Sequence, residues 1–148
     1  MTSSQHFIKL YFFEVFIMYG IFESVEFLNE SNMEDINIEL KKSHGDFYDI
    51  LNNNKKVGTI GLSFYEDIKA IGLGIFEIDS SLRGKGLGSA TIKHIIKTYK
   101  KDYNLIYCYV EPKNTGAIKL YKKLGKVYDD TVNKDGYHYV VFYEKSKK

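Results

Sequence analysis

The chain has one cysteine, Cys108, and one proline, Pro112, among 148 residues. A lone thiol excludes an internal disulfide framework and every multi-cysteine zinc site, and it makes a reducing, cytoplasmic setting the expectation. A lone proline, with no Gly/Ser-rich or Pro-rich stretch, leaves no boundary at which to divide the sequence, so one domain over residues 1–148 is expected. Charge of one sign is equally scarce: 21 Lys+Arg against 19 Asp+Glu give a formal net charge of +2. Cations concentrate only in the short tail Lys145-Ser146-Lys147-Lys148, so nucleic acid is not an expected partner. His6, His44, His94 and His138 lack the i, i+4 spacing and the carboxylate neighbours of a ligand set, and no metal is expected. The apolar run from Phe7 to Phe22 is interrupted by Lys9 and Glu14, short of the roughly 20 residues of a membrane span. It has neither a basic leader nor a small-residue cleavage site.

What is present is a hydrophobic fraction of 44% beside 27% charged residues, enough for a packed core at this length. In the N-terminal run Phe7, Lys9, Tyr11 and Phe13 oppose Ile8, Leu10, Phe12 and Glu14, which reads as a strand. Residues 1–35 otherwise give no clear pattern, and Met18 or Met33 could each begin a shorter protein. From Ile36, strand periodicity returns with Ile38 and Leu40, and Ser43-His44-Gly45-Asp46 ends it. Phe47 to Leu51 and Val57 to Tyr65 read as a hairpin about Asn52-Asn53-Asn54-Lys55, and Ala70 to Ile78 as the next strand.

At Gly86 the period changes: Ile92, Ile95, Ile96 and Tyr99 recur at helical spacing, and the helix should end near Lys101. Leu105 to Val110 reads as a buried strand. Ala117, Leu120, Tyr121 and Leu124 mark a second helix over Thr115 to Leu124, with Asn114 as N-cap and Gly125 as stop. Val127 to Val132 and Tyr137 to Glu144 form a closing hairpin across Asn133-Lys134-Asp135-Gly136. This order predicts an α/β fold, a mixed and mostly antiparallel sheet flanked by helices.

The segment richest in chemistry runs from Ile75 to Ala90, where a strand passes through a glycine-rich turn, Arg83-Gly84-Lys85-Gly86-Leu87-Gly88-Ser89, into a helix. First-turn amides have no internal partner and lie at the positive end of the helix dipole, and glycines let an anion approach the backbone. Arg83 and Lys85 add positive charge. A dinucleotide fingerprint would need glycine at 89, and a Walker A loop glycine at 79, where Ser89 and Asp79 stand.

The run Arg83-Gly84-Lys85-Gly86-Leu87-Gly88 resembles the acyl-CoA-binding signature of the GNAT N-acetyltransferase superfamily: Arg or Gln, two residues, Gly, one residue, Gly or Ala. A second stretch, Asn114-Thr115-Gly116-Ala117-Ile118-Lys119-Leu120-Tyr121-Lys122-Lys123-Leu124-Gly125, is similar to the family's Asn, Ala, Leu-Tyr and Leu-Gly signature. The resemblance covers about Val57 to Lys145 and fades before Ile36. It implies acetyl-CoA as cofactor and a primary amine as acceptor, on a small molecule, a peptide N-terminus or a lysine, acylated by direct attack in a ternary complex. It also implies that the family's parallel fourth and fifth strands splay to admit the pantetheine arm. Residue by residue, Ile78 would contact the cofactor from the strand, with its neighbouring N–H polarising the carbonyl. Arg83, Gly84, Lys85, Gly86, Leu87, Gly88 and Ser89 would cradle the pyrophosphate, and Asn114 would add a polar contact.

Tyr121 would be the general acid beside the coenzyme A sulfur; on its own stripe it reads equally as a core tyrosine. Glu77 is the general-base candidate, its pKa raised by partial burial, or else an outward-facing polar residue. The chain departs from the family pattern twice. Lys126 follows Gly125 where many members have Phe, and Tyr109 stands where ribosomal-protein alanine acetyltransferases carry a glutamate. Cys108 reads as a small buried hydrophobe and His138 as structural or at the substrate rim. Two other functions compete: a non-catalytic acyl-CoA-binding or regulatory module, and an RNA-associated protein using the basic tail. A homodimer through a terminal strand or hairpin is compatible with the pattern.

Overall fold

A computed structural model describes residues 35–146. The strand expected over residues 7–14 and the last two tail lysines lie outside the described residues. The fold described here belongs to the unit Ile36–Lys148.

Among the described residues, seven strands and two α-helices follow one another in the order that the residue periods predict. The strands β1 (Ile38–His44), β2 (Phe47–Asn52), β3 (Lys55–Tyr65) and β4 (Ala70–Ile78) form a meander. Its turns use left-handed residues, Gly45 at the first and the pair Asn53-Asn54 at the second, as tight hairpins require. A 3-10 turn (Ser80–Leu82) leads into α1 (Leu87–Tyr99), followed by β5 (Leu105–Val110), α2 (Thr115–Leu124), β6 (Lys126–Val132) and β7 (His138–Glu144). The sheet order is β1-β2-β3-β4-β5-β7-β6, antiparallel everywhere except between β4 and β5, which the α1 crossover makes parallel. The last hairpin is held by Asn133, whose Oδ1 accepts from the N–H groups of Asp135 and Tyr137.

The first strand begins and ends later than its alternation suggests, because Asn37 N–H is taken by Asn52 Oδ1 and pairing with β2 runs through His44. The helix expected to end near Lys101 runs to Tyr99, with Lys100 closing the last turn onto Ile96 O.

Among the described residues, the core lies on the sheet face that α1 covers. Ile50, Ile60, Leu62, Ile71, Ile106 and Val140 are essentially inaccessible beneath Ile92 and Ile95 of α1. The α1 stripe reads Leu87, Thr91, Ile92, Ile95, and the buried Thr91 hydroxyl is satisfied by donating to Leu87 O. Among the described residues no helix is long and apolar enough to cross a membrane.

The parallel pair is fastened at one end only. There, Phe64, Tyr99 and Tyr103 pack as an aromatic trio, Lys69 O accepts from Asn104 N–H, and the Tyr103 hydroxyl donates to Glu66. That hydrogen bond, ahead of Lys69, holds the Glu66 carboxyl below its usual range and pushes the Tyr103 phenol up to about 12. A depressed carboxylate contributes stability above its unfolded pKa of about 4.3 and loses it as pH falls through the lower folded value. A raised phenol contributes below about 10 and loses it as pH rises through about 12. Tyr103→Phe is therefore expected to lower the melting temperature by roughly 3 °C or less between about pH 5 and 10. Melting curves of the two proteins should converge at lower pH; a difference that persists unchanged there would exclude the carboxylate as the cause.

Candidate active site

At the opposite end β4 and β5 part. They pair over four positions, Ala70↔Leu105 to Leu73↔Cys108, whereas β3 follows β4 to Ile78 and β7 follows β5 to Val110. A bulge on β4 starts the divergence: from Leu62↔Leu73 to Ile60↔Phe76, β3 advances two residues and β4 three.

Beyond the bulge the main-chain groups of β4 sort by direction. Asp79 N–H donates to Val57 O at 2.8 Å, and bonded pairs alternate with non-bonded ones in an antiparallel ladder. Glu77 therefore also faces β3, while the N–H groups of Phe76 and Ile78 turn to the other edge, into the gap that β5 has vacated. The Ile78 carbonyl on that edge accepts from Arg83 Nε at 2.8 Å. Arg83 thus braces the loop against the end of the strand, in addition to supplying charge.

Both helices begin at this open end, since α1 follows β4 and α2 follows β5. The loop turns through Gly84 at φ +79° and Gly86 at φ +85°, a region that L side chains avoid. Gly86 is the α1 N-cap and has no side chain with which to cap. The first intrahelical bond is Ala90 N–H to Gly86 O, so the Leu87 and Gly88 amides precede the ladder, and the first turn contains no acidic residue. Exposed Arg83, Gly84 and Lys85 border this turn. Open backbone, unladdered amides and two cations fit a diphosphate. Ser89, by contrast, is buried at 2% exposure, facing the protein rather than the loop's open side.

The second helix meets the first where Gly88 lies against Leu120. Asn114 is its N-cap, as the sequence predicts, with Oδ1 accepting from Ala117 N–H at 3.1 Å. Tyr121 is buried, edge-on to Phe142 with ring centroids 5.2 Å apart. Burial first, and then the neighbouring Cys108, raises its phenol above the ordinary value and keeps it protonated. Cys108, the last β5 position paired with β4, is itself buried and pushed up to about 12, so it remains a neutral thiol.

Glu77 lies elsewhere. Its neighbours Phe76 and Ile78 pack on the core, so the pleat sends Glu77 to the face away from the helices, where it is exposed. The partial burial expected for it is not found.

Composition and pattern missed a tyrosine cluster on that same face. Ile106, Cys108 and Val110 of β5 face the helices, so Tyr107 and Tyr109 face away, as does Tyr139, which directly precedes the core residue Val140 on β7. Ring centroids lie 5.9 Å apart for Tyr107–Tyr109, 5.5 Å for Tyr109–Tyr139 and 5.7 Å for Tyr139–Tyr128. The period-two spacing of Tyr107 and Tyr109 was the available signal. It reads as strand, and nothing local says which face meets α1 and α2.

Among the described residues, a mixed sheet opens at its one parallel pair beside a glycine loop, which is an acyltransferase architecture. The family model for the GNAT acetyltransferases matches residues 11–126, and the chain belongs to this family. A search of curated protein sequences finds no significant match. Among solved structures, a GNAT family acetyltransferase from Elizabethkingia anophelis with acetyl-CoA bound is similar over 76% of this chain and 99% of its own, at 14% identity and TM-score 0.56. A Bacillus subtilis acetyltransferase in complex with CoA matches over 76% and 100%, at 16% identity and TM-score 0.56. The Escherichia coli ribosomal-protein-S18-alanine N-acetyltransferase matches over 83% and 79%, at 18% identity and TM-score 0.51. At these identities the likeness is one of fold.

Proposed function

We propose that the chain is an acetyl-CoA-dependent N-acetyltransferase that acylates a primary amine by direct attack in a ternary complex. The observation that carries this reading is the gap between β4 and β5, opening directly beside an unladdered helix N-terminus. Bound acetyl-CoA supplies an activated acyl carbon and a sulfur leaving group.

The protein's part divides between its two faces. On the helix face, the Leu87 and Gly88 amides with Arg83 and Lys85 bind the pyrophosphate, Gly84 and Gly86 leave room for it, and Ser89 anchors the turn. Asn114 spends its carbonyl oxygen on the helix cap and presents its NH2 to the cofactor. Along β4, the gap-facing N–H groups of Ile78 and Phe76 hold the acyl oxygen as negative charge develops on it. The buried Tyr121 hydroxyl gives its proton to the departing sulfur as the C–S bond breaks. On the far face, Glu77 receives, through water, the proton the amine loses as its N–C bond forms. The raised phenol keeps Tyr121 a donor throughout the neutral range.

Tyr121→Phe is expected to cut kcat about a hundredfold while leaving acetyl-CoA affinity within about twofold, because the ring still packs on Phe142. Steady-state thiol release with calorimetry of acetyl-CoA binding measures both; an unchanged kcat would return Tyr121 to the core. The exposure of Glu77 favours one other reading, a non-catalytic acyl-CoA-binding module, and that module would bind acetyl-CoA without amine-dependent thiol release.

A further inference from the structure

The sheet face opposite α1 and α2 carries an aromatic layer that ends beside the gap. Tyr107, Tyr109, Tyr139 and Tyr128 form a continuous ring layer across β5, β7 and β6. Tyr107 is held over Gly72: a Cβ there would lie 3.1 Å from the Tyr107 hydroxyl. Burial, chiefly, pushes that phenol up to about 12, with a hydrogen bond to Tyr65 contributing, so the ring stays neutral and fixed. Tyr109, the first β5 residue past the last pair with β4, remains 46% exposed at the mouth of the gap. Across the gap stands exposed Glu77, on the same face.

Aromatic faces attract a cation and bury apolar carbon together. The layer already holds one cation, Lys126 Nζ, 4.8 Å from the Tyr128 ring centre. Lys126 therefore fills the far end and repels further positive charge, leaving Tyr109 and Tyr139 beside the gap. Resting on the proposed acetyltransferase reading, we infer that the acceptor is a monocationic primary amine carrying an apolar, ring-sized group within a few bonds of the nitrogen. The amine sits between Tyr109 and Glu77, and the apolar group lies on Tyr109 and Tyr139. Polyamines, whose second charge would meet Lys126, and lysine side chains, whose polar backbone would take the place of the apolar group on the rings, are disfavoured.

The test compares 2-phenylethylamine and phenylalaninamide with spermidine and Nα-acetyl-lysinamide in thiol-release kinetics on the full chain, after calorimetry has measured acetyl-CoA binding. The aromatic amines should exceed the others in kcat/KM by about tenfold or more. Tyr109→Leu, which keeps apolar bulk without a π face, should raise KM for the aromatic amines about tenfold and leave KM for acetyl-CoA unchanged. Tyr109→Phe should restore most of the preference. Acetyl-CoA binding with spermidine or the lysine derivative preferred, or a Tyr109→Leu variant with unaltered amine KM, overturns this inference alone. Failure of the folded chain to bind acetyl-CoA overturns the acetyltransferase reading, and this inference with it.

Discussion

Gly86→Glu abolishes acetyl-CoA binding on this account, with an affinity loss of about a hundredfold or more. Gly86 sits at φ +85° as an N-cap without a side chain, directly ahead of the Leu87 and Gly88 amides. A carboxylate there competes for those amides and faces the diphosphate. Two like charges at roughly 5 Å and an effective dielectric near 20 repel by about 3 kcal/mol, equivalent to about two decades in Kd. The left-handed backbone adds strain of about 1–2 kcal/mol to the folded state, small enough for a stable domain to stay folded. Gly86→Ala carries the strain without the charge, so it should retain far more affinity than the glutamate variant. Calorimetric titration at a temperature where both variants are folded makes the comparison. Equal losses would assign the effect to loop geometry and remove the anion-binding role of the amides.

The largest stability effect is expected at Gly125. An added Cβ would lie 2.3 Å from Val141 O and 2.9 Å from Phe142 Cα, both main chain of β7, which cannot yield as a flexible side chain would. Gly125→Ala should cost about 3 kcal/mol or more, a large share of the stability of a domain this size. Gly116, in the first turn of the same helix, has nothing within 4 Å of its virtual Cβ. Gly116→Ala should therefore stabilise by roughly 0.5–1 kcal/mol through helix propensity. Denaturant melts of both variants test the pair. A small cost at Gly125 would mean that β7 can withdraw from the end of α2, and the tight α2–β6 junction would lose its explanation.

The same residue shows what a sequence conveys and what it withholds. Gly125 reads correctly as the end of α2, yet a helix-stop glycine usually supplies a left-handed turn, and here the backbone is extended at φ −166°. The requirement is close approach to β7, a strand thirteen or more residues later, and no local pattern contains that. Elements with their own period were legible: the stripe Ile92, Ile95, Ile96, Tyr99, the Asn114 cap, and the Asn-rich turn with its two left-handed residues. The extended fold of β3 and β4 was legible as β-like runs bounded by turns, but the bulge between Leu73 and Phe76 was not, because it is defined only against β3.

The candidate site divides along the same line. The glycine loop and the α2 stripe are contiguous in sequence, so their residues could be named before their placement was known. The gap is a relation among β3, β4, β5 and β7, and the tyrosine layer joins residues of three strands. For Glu77 the sequence offered a strand position without a face; the pleat settles it, opposite Phe76 and away from the core.

The most direct test of the central claim is thiol release from acetyl-CoA by the full chain in the presence of pooled primary amines, with products identified by mass. The account predicts amine-dependent release of one thiol per acetyl group gained by an amine, with both lost in Gly86→Glu. Folded protein that binds acetyl-CoA but releases no thiol with any amine, or that does not bind it, would contradict the account.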